Sequence, residues 1–201
     1  MIYNNDLIAG KLRRWGRYLD NYRLPEWENI PDLGLYMEQV IQLLIEYLDY
    51  LPPELKDSEL ITASAINNYV RTGVMPKPVN KKYYRLHIAY LIVICSLKHN
   101  LNISFIQKII PLNISEEQAR EIYDAYAKRH RIVSLYFVEQ IRLMAGPLLG
   151  LESSSDYEAG VQTTEDLITS AIVFSGFSKL LAEKLILLEG RDLSDGGSID
   201  T

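Results

Sequence analysis

Residues 63–97 read ASAINNYVRTGVMPKPVNKKYYRLHIAYLIVICSL, and three local patterns follow one another within them. In the first nine residues Ile66, Tyr69 and Val70 can turn inward at helical spacing, while Ser64, Asn67, Asn68 and Arg71 fall at i, i+3, i+4 and i+7 on another face. Thr62 or Ser64 is placed to cap this short helix and Gly73 to end it. Pro76 and Pro78 then forbid helix. Asn80-Lys81-Lys82 ahead of Tyr83-Tyr84 suits a tight turn entering a short strand, so a small two-stranded wing is predicted. From Leu86 to His99 the chain is almost unbrokenly apolar, too short to span a bilayer, and reads as a helix at the centre of a core.

Working outward, the flanks read as helical too. Asp6 is placed to cap a helix through about Leu19, with Leu7, Ile8, Leu12, Trp15 and Leu19 on one face, and the Pro25 to Pro31 segment breaks it. Met37, Val40, Ile41, Leu44, Ile45 and Leu48 mark a helix from Leu35 to Leu51 that Pro52-Pro53 ends. Ser104 is placed to cap a short helix closed by Pro111. Ser115 opens a capping box with Gln118, and Glu116 and Glu117 suit the positive end of the helix that follows, which runs to about Met144 with a polar middle at Lys128 to Arg131. Gly146 to Thr163 reads as a flexible connection and the tail after Gly190 as disordered. The last helix, from Thr164 to about Leu188, has an apolar surface broader than one face, which predicts packing both inside the chain and against a second subunit.

The expected fold class is therefore all-α: a winged helix-turn-helix head with a small β wing, followed by long C-terminal helices for dimerisation or effector binding. The expected divisions are an N-terminal helix and linker at 1–34, the head at 35–112, the helical region at 113–190 and a tail at 191–201.

Charge gives the first functional indication. The chain carries 21 basic and 26 acidic residues, yet Leu60 to Ser115 contains no Asp or Glu and holds Arg71, Lys77, Lys81, Lys82, Arg85, Lys98 and Lys108. That window stands at +7, and the remaining 14 basic and 26 acidic residues leave the rest at −12. A cationic module in an acidic protein suits an anionic partner. Asn can pair two hydrogen bonds with adenine in the major groove and Arg can do so with guanine, so Ser64, Asn67, Asn68 and Arg71 are candidate readers of duplex DNA. Lys77, Lys81, Lys82, Tyr84 and Arg85 are candidate grips on its phosphates. With Thr62, these form the DNA-binding set expected from the residues themselves, to which the resemblance below adds Tyr69.

INNYVRTGVMPKP (66–78), KKYYRLHIAYLIVI (81–94) and LNISFIQKII (101–110) together resemble the DNA-binding head of MerR-type regulators, with Tyr69, Gly73, Pro76, Tyr84 and Arg85 on matching positions. The resemblance implies phosphate contacts for Tyr69 and Arg85, and a dimerising role for the helix after Ser115. Asn67 and Asn68 depart from the Arg and aromatic residue usual in that family, so no base preference carries over. LPEWENIPDLGLYMEQV (24–40) followed by INNYV (66–70) is similar to the signature of a bacterial family of unknown function, number 1836, related to MerR-type heads. That likeness covers about Leu24 to Ile110.

Other chemistry finds little support. Cys95 stands without a second cysteine in an apolar run and reads as core in a reducing compartment. Cys95 and His99, four apart, fall short of a zinc ligand set. The acids around Glu116 to Asp124 serve a helix N-terminus, and no phosphate loop, G-x-S-x-G elbow or HExxH is present. The expectation is a cytoplasmic, non-enzymatic, homodimeric transcriptional regulator without metal, cofactor or membrane segment. The alternatives are a protein-interaction scaffold and a sensor holding a small-molecule effector among aromatics such as Tyr123, Tyr126, Tyr136 and Phe137.

Overall fold

The apolar stretch at the centre of the sequence forms a helix, Arg85–Leu97, in which every residue from His87 to Ser96 is buried. Its β-branched residues Ile88, Ile92, Val93 and Ile94 are mediocre helix formers. Burial decides the matter, since each fully buried Ile or Leu contributes about 1.5–3 kcal/mol. A helix apolar on all sides must be enclosed, and the rest of the chain encloses it.

The structure is a computed structural model that describes residues 4–51, 61–146 and 163–187. Among these residues the helices, numbered in chain order, are α1 (Asn5–Asn21), α2 (Met37–Tyr47), α3 (Ala63–Arg71), α4 (Arg85–Leu97), α5 (Ile103–Ile109), α6 (Glu116–Met144) and α7 (Thr164–Leu187), with a 3-10 turn at Trp27–Asn29. The protein is mostly helical, as expected. Helices α2, α5 and α6 pack directly on α4, α3 packs on α2, α1 on α6, and α7 on α5. A single buried cluster unites Leu24 and Trp27 with Val40 and Leu44 of α2 and Leu48 just beyond it, Ile66 and Tyr69 of α3, Ile106 of α5, and Ala119 and Tyr123 of α6. It crosses both the 34/35 and the 112/113 boundary.

Local chemistry sets the helix ends. Thr62 rather than Ser64 caps α3, its Oγ1 accepting from the Ala65 N–H at 3.1 Å. Asn4 caps α1 in place of Asp6, with its Oδ1 2.9 Å from the Leu7 nitrogen, and Asp6 sits in the first turn. Asn102, not Ser104, precedes α5. The expected box at α6 forms in both directions, Gln118 N–H to Ser115 Oγ at 3.1 Å and Ser115 N–H to Gln118 Oε1 at 2.9 Å. An equivalent exchange joins Thr163 and Asp166 at the start of α7.

The polar middle of α6 has a structural task. Arg131 reaches the C-terminus of α1, where its guanidinium donates to the carbonyls of Leu19 at 2.7 Å, Tyr22 at 3.1 Å and Asp20. A cation at a helix C-terminus satisfies orphan carbonyls and opposes the negative end of the dipole. Nearby, Tyr22 donates its hydroxyl to the Tyr47 carbonyl and Tyr123 donates to Pro25 O at 2.8 Å, which fixes the link from α1 to α2 against the core.

Helix α7 is different. Thr164 and Leu167 are buried at its start, but Ile172, Phe177, Leu180, Leu181 and Leu185 are each more than half exposed. No described helix is long and apolar enough to cross a membrane. The expected flexible connection at 146–163 lies almost wholly outside the described residues, as do the tail after Gly190 and the Pro52-Pro53 stop.

Removing the Arg131 guanidinium leaves three partly buried carbonyls of α1 without their charged donor. Arg131→Ala should lower the unfolding free energy by about 2–3 kcal/mol in urea titrations, with Arg131→Lys recovering part of the loss.

Candidate nucleic-acid interface

Helix α3 divides its residues as its spacing requires. Ile66 and Tyr69 are fully buried, whereas Ser64, Asn67 and Arg71 are exposed and Asn68 is half-buried. The four polar residues line one shallow depression. Arg71 donates from its guanidinium to Asn68 Oδ1 at 2.7 Å, and Thr72 Oγ1 donates to the Asn68 carbonyl at 2.7 Å. Asn68 thereby positions Arg71 on the helix face and leaves Asn67 turned to solvent. At the end of the helix Gly73 takes φ +67°, a conformation costly for any side chain, and its carbonyl accepts from Gln107 Nε2 of α5 at 2.9 Å.

The segment expected as a wing forms a smaller object. Val79 and Lys82 exchange both backbone hydrogen bonds, at 3.0 and 2.9 Å, around Asn80 and Lys81, which adopt φ 50° and 61°. These are the two positive φ values of a type I′ hairpin turn. Among the described residues the arms go no further than isolated bridges, Val79 to Lys82 and Leu35 to Tyr83, and no strand develops. Pro76 and Pro78 lie at positions whose N–H would point away from the other arm, so they deny donors only to the outer edge. Where Lys77 and Tyr84 would form the next rung, the imidazole of His87 stands instead, its Nδ1 accepting from the Tyr84 N–H at 3.1 Å and its Nε2 at 3.0 Å from the Lys77 carbonyl. That pairing requires the proton on Nε2. Tyr83 turns to Leu35, just before α2, exchanging bonds of 2.8 and 2.9 Å.

The expected grips therefore separate into two groups. Lys77 and Lys81 are exposed. Lys82 is half-buried, with Nζ 5.5 Å from the centre of the Tyr36 ring. Its stem and the Tyr84 hydroxyl lie so close over Gly34 that a Cβ there would stand 2.7 Å from Lys82 Cδ and 3.1 Å from the hydroxyl oxygen. Arg85 points back into the protein, where its Nε donates to Ile30 O at 2.9 Å and its backbone N–H to Asp32 Oδ1 at 3.3 Å. Tyr69, implied as a phosphate contact by resemblance, belongs to the core. Its hydroxyl is buried without a hydrogen-bond partner among the described residues, burial pushes its pKa up, and Lys98 Nζ lies 4.8 Å from the centre of its ring. Gly34, Tyr36, Asp32 and Gln107, which hold this region in shape, carried no local sequence signal, because each acts on a residue more than thirty positions away.

The geometry of the turn can be tested without any ligand. Lys81→Gly should raise the urea midpoint, equivalent to about 0.5 kcal/mol, because glycine adopts positive φ without the cost a lysine bears there.

Residues 25–129 match the family described as Domain of unknown function (DUF1836), a span that holds α2 to α5, the hairpin turn and the first half of α6. No curated protein and no solved structure matches the chain significantly. The match takes in more than half of the sequence, and the chain is a member of the DUF1836 family.

Proposed function

We propose that this protein is a transcriptional regulator that binds duplex DNA through α3 and the hairpin turn, in the manner of a MerR-like winged helix-turn-helix. The observation that carries the proposal is the outer face of α3. Four polar side chains able to hydrogen-bond base edges share one depression, and no acidic residue occurs between Leu60 and Ser115. A surface helix of an acidic protein without a polyanionic partner has no need of an acid-free window, whereas phosphate repels every carboxylate near it. Asn67 is the first candidate for base contact, since it is exposed and unencumbered by the Asn68–Arg71 pair. Lys77 and Lys81 are the first candidates for phosphate, being the outward cations of the turn.

A dimer completes the proposal. The unburied apolar side chains of α7, Phe177 and Leu181 among them, are what a subunit interface covers, and a two-fold pair of heads matches a pseudo-palindromic site.

The readers and the grips are distinguished by different losses. Asn67→Ala should weaken the preferred site by about 1–3 kcal/mol while leaving affinity for unrelated duplex unchanged. Lys77→Ala should weaken all duplexes alike and reduce the slope of log K against log salt by about one unit. Electrophoretic or anisotropy titrations across a salt series check both. Loss of affinity on every sequence alike with Asn67→Ala would remove α3 as the reader.

A further inference from the structure

A cleft of about 510 Å³ opens between α1, the C-terminal end of α4 and α6, and none of its lining residues is among those proposed to face DNA. That volume suits a small organic molecule. Helix geometry gives the cleft two unlike ends. Its α6 side is lined by Tyr126, Arg129, His130, Val133, Ser134 and Phe137, so Tyr126 and Phe137 stand eleven residues, or about 16 Å, apart along the helix. At the far end Phe137 meets Trp15 edge to face, with ring centres 5.5 Å apart, and Leu19 and Val133 complete an apolar wall. At the near end Ser96 and Tyr126 share a 2.6 Å hydrogen bond beside Asn100, Arg129 and His130.

His130 also lines that end. Its Nδ1 is buried and has no hydrogen-bond partner among the described residues, although the rings of Tyr22, Tyr50 and Tyr126 surround it with centres at 5.1–6.1 Å. Burial also pulls its pKa down, which keeps the ring neutral and able to donate from one nitrogen. No acidic residue lines the cleft, and Arg129 adds a positive charge. Of the carbonyls at the C-terminus of α4, which oppose an anion, those of Ile94 and Leu97 are engaged by the backbone N–H groups of Lys98, Asn100 and Leu101.

We propose that this cleft is a binding site for a small apolar carboxylic acid, its ring system against Trp15, Val133 and Phe137 and its carboxylate beside Asn100 and Arg129. An amphipathic anion is the ligand class that matches both ends. An ammonium ligand would meet Arg129 with no carboxylate to balance it.

The test is isothermal titration of the full chain with three probes that share one ring system: 2-naphthoate, 2-naphthylmethanol and 2-naphthylmethylammonium. The expected result is saturable binding of naphthoate, one per chain, about tenfold or more tighter than the ammonium probe, with the alcohol between them. Val133 is more than half exposed, so Val133→Trp can fill the cleft without disturbing the core, and it should abolish naphthoate binding with the circular dichroism unchanged. Arg129→Gln, also at the surface, should bring the acid and the alcohol to similar affinities. No saturable naphthoate binding, preference for the ammonium probe, or unaltered affinity in Val133→Trp would each overturn the proposal. The titration contains no DNA, so its outcome stands apart from the DNA-binding reading.

Discussion

The enclosure of α4 is the constraint on which the remaining architecture depends. Ten consecutive residues, His87 to Ser96, lose solvent entirely or nearly so, and no single partner can cover a helix on every side. Helices α2, α5 and α6 close around it, and α1, α3 and α7 are positioned by packing on that second layer. The two surfaces proposed to bind ligands adjoin this helix, one at each end. Tyr84 and Arg85 lead into it from the hairpin turn, and Ser96 and Leu97 leave it at the cleft beside α1 and α6.

Polar anchors then fix what apolar packing leaves undetermined, because burial is non-directional and hydrogen bonds are not. His87 joins the first turn of α4 to both arms of the hairpin, Arg85 ties the same turn to Ile30, and Arg131 locks α6 to the end of α1. Each uses a side chain that composition alone counts as a surface charge or a titratable group. The cations divide accordingly. Arg85 and Arg131 are structural, with their hydrogen bonds directed at carbonyls, while Lys77, Lys81 and Arg71 remain at the surface of the acid-free window.

Periodicity made most of the fold legible. The spacing of Val40, Leu44 and Leu48 defines the buried face of α2, the capping box at Ser115 marks where α6 begins, and the unbroken apolar run places α4 at the centre. Helix starts lie two residues from their expected places where two polar residues compete for a cap, as with Asn4 against Asp6 and Asn102 against Ser104. The wing was legible as a turn but not in its extent, because His87 takes the backbone groups of the next rung and lies ten residues beyond Lys77. Whether a cation faces solvent or carbonyl is equally non-local: nothing in the local sequence separates Arg85 from Lys81, and the difference lies in the Ile30 carbonyl, fifty-five residues away. The polar face of α3 was readable because it depends on helical spacing alone.

The central claim concerns what the outer face of α3 meets, and selection of fragments from random duplex DNA by the full-length protein tests it most directly. The account predicts enrichment, at moderate salt, of an inverted repeat whose half-sites lie about one helical turn, or a multiple of it, apart. Recovery of an unenriched pool at every salt concentration, down to the lowest at which phosphate attraction is strongest, would contradict it.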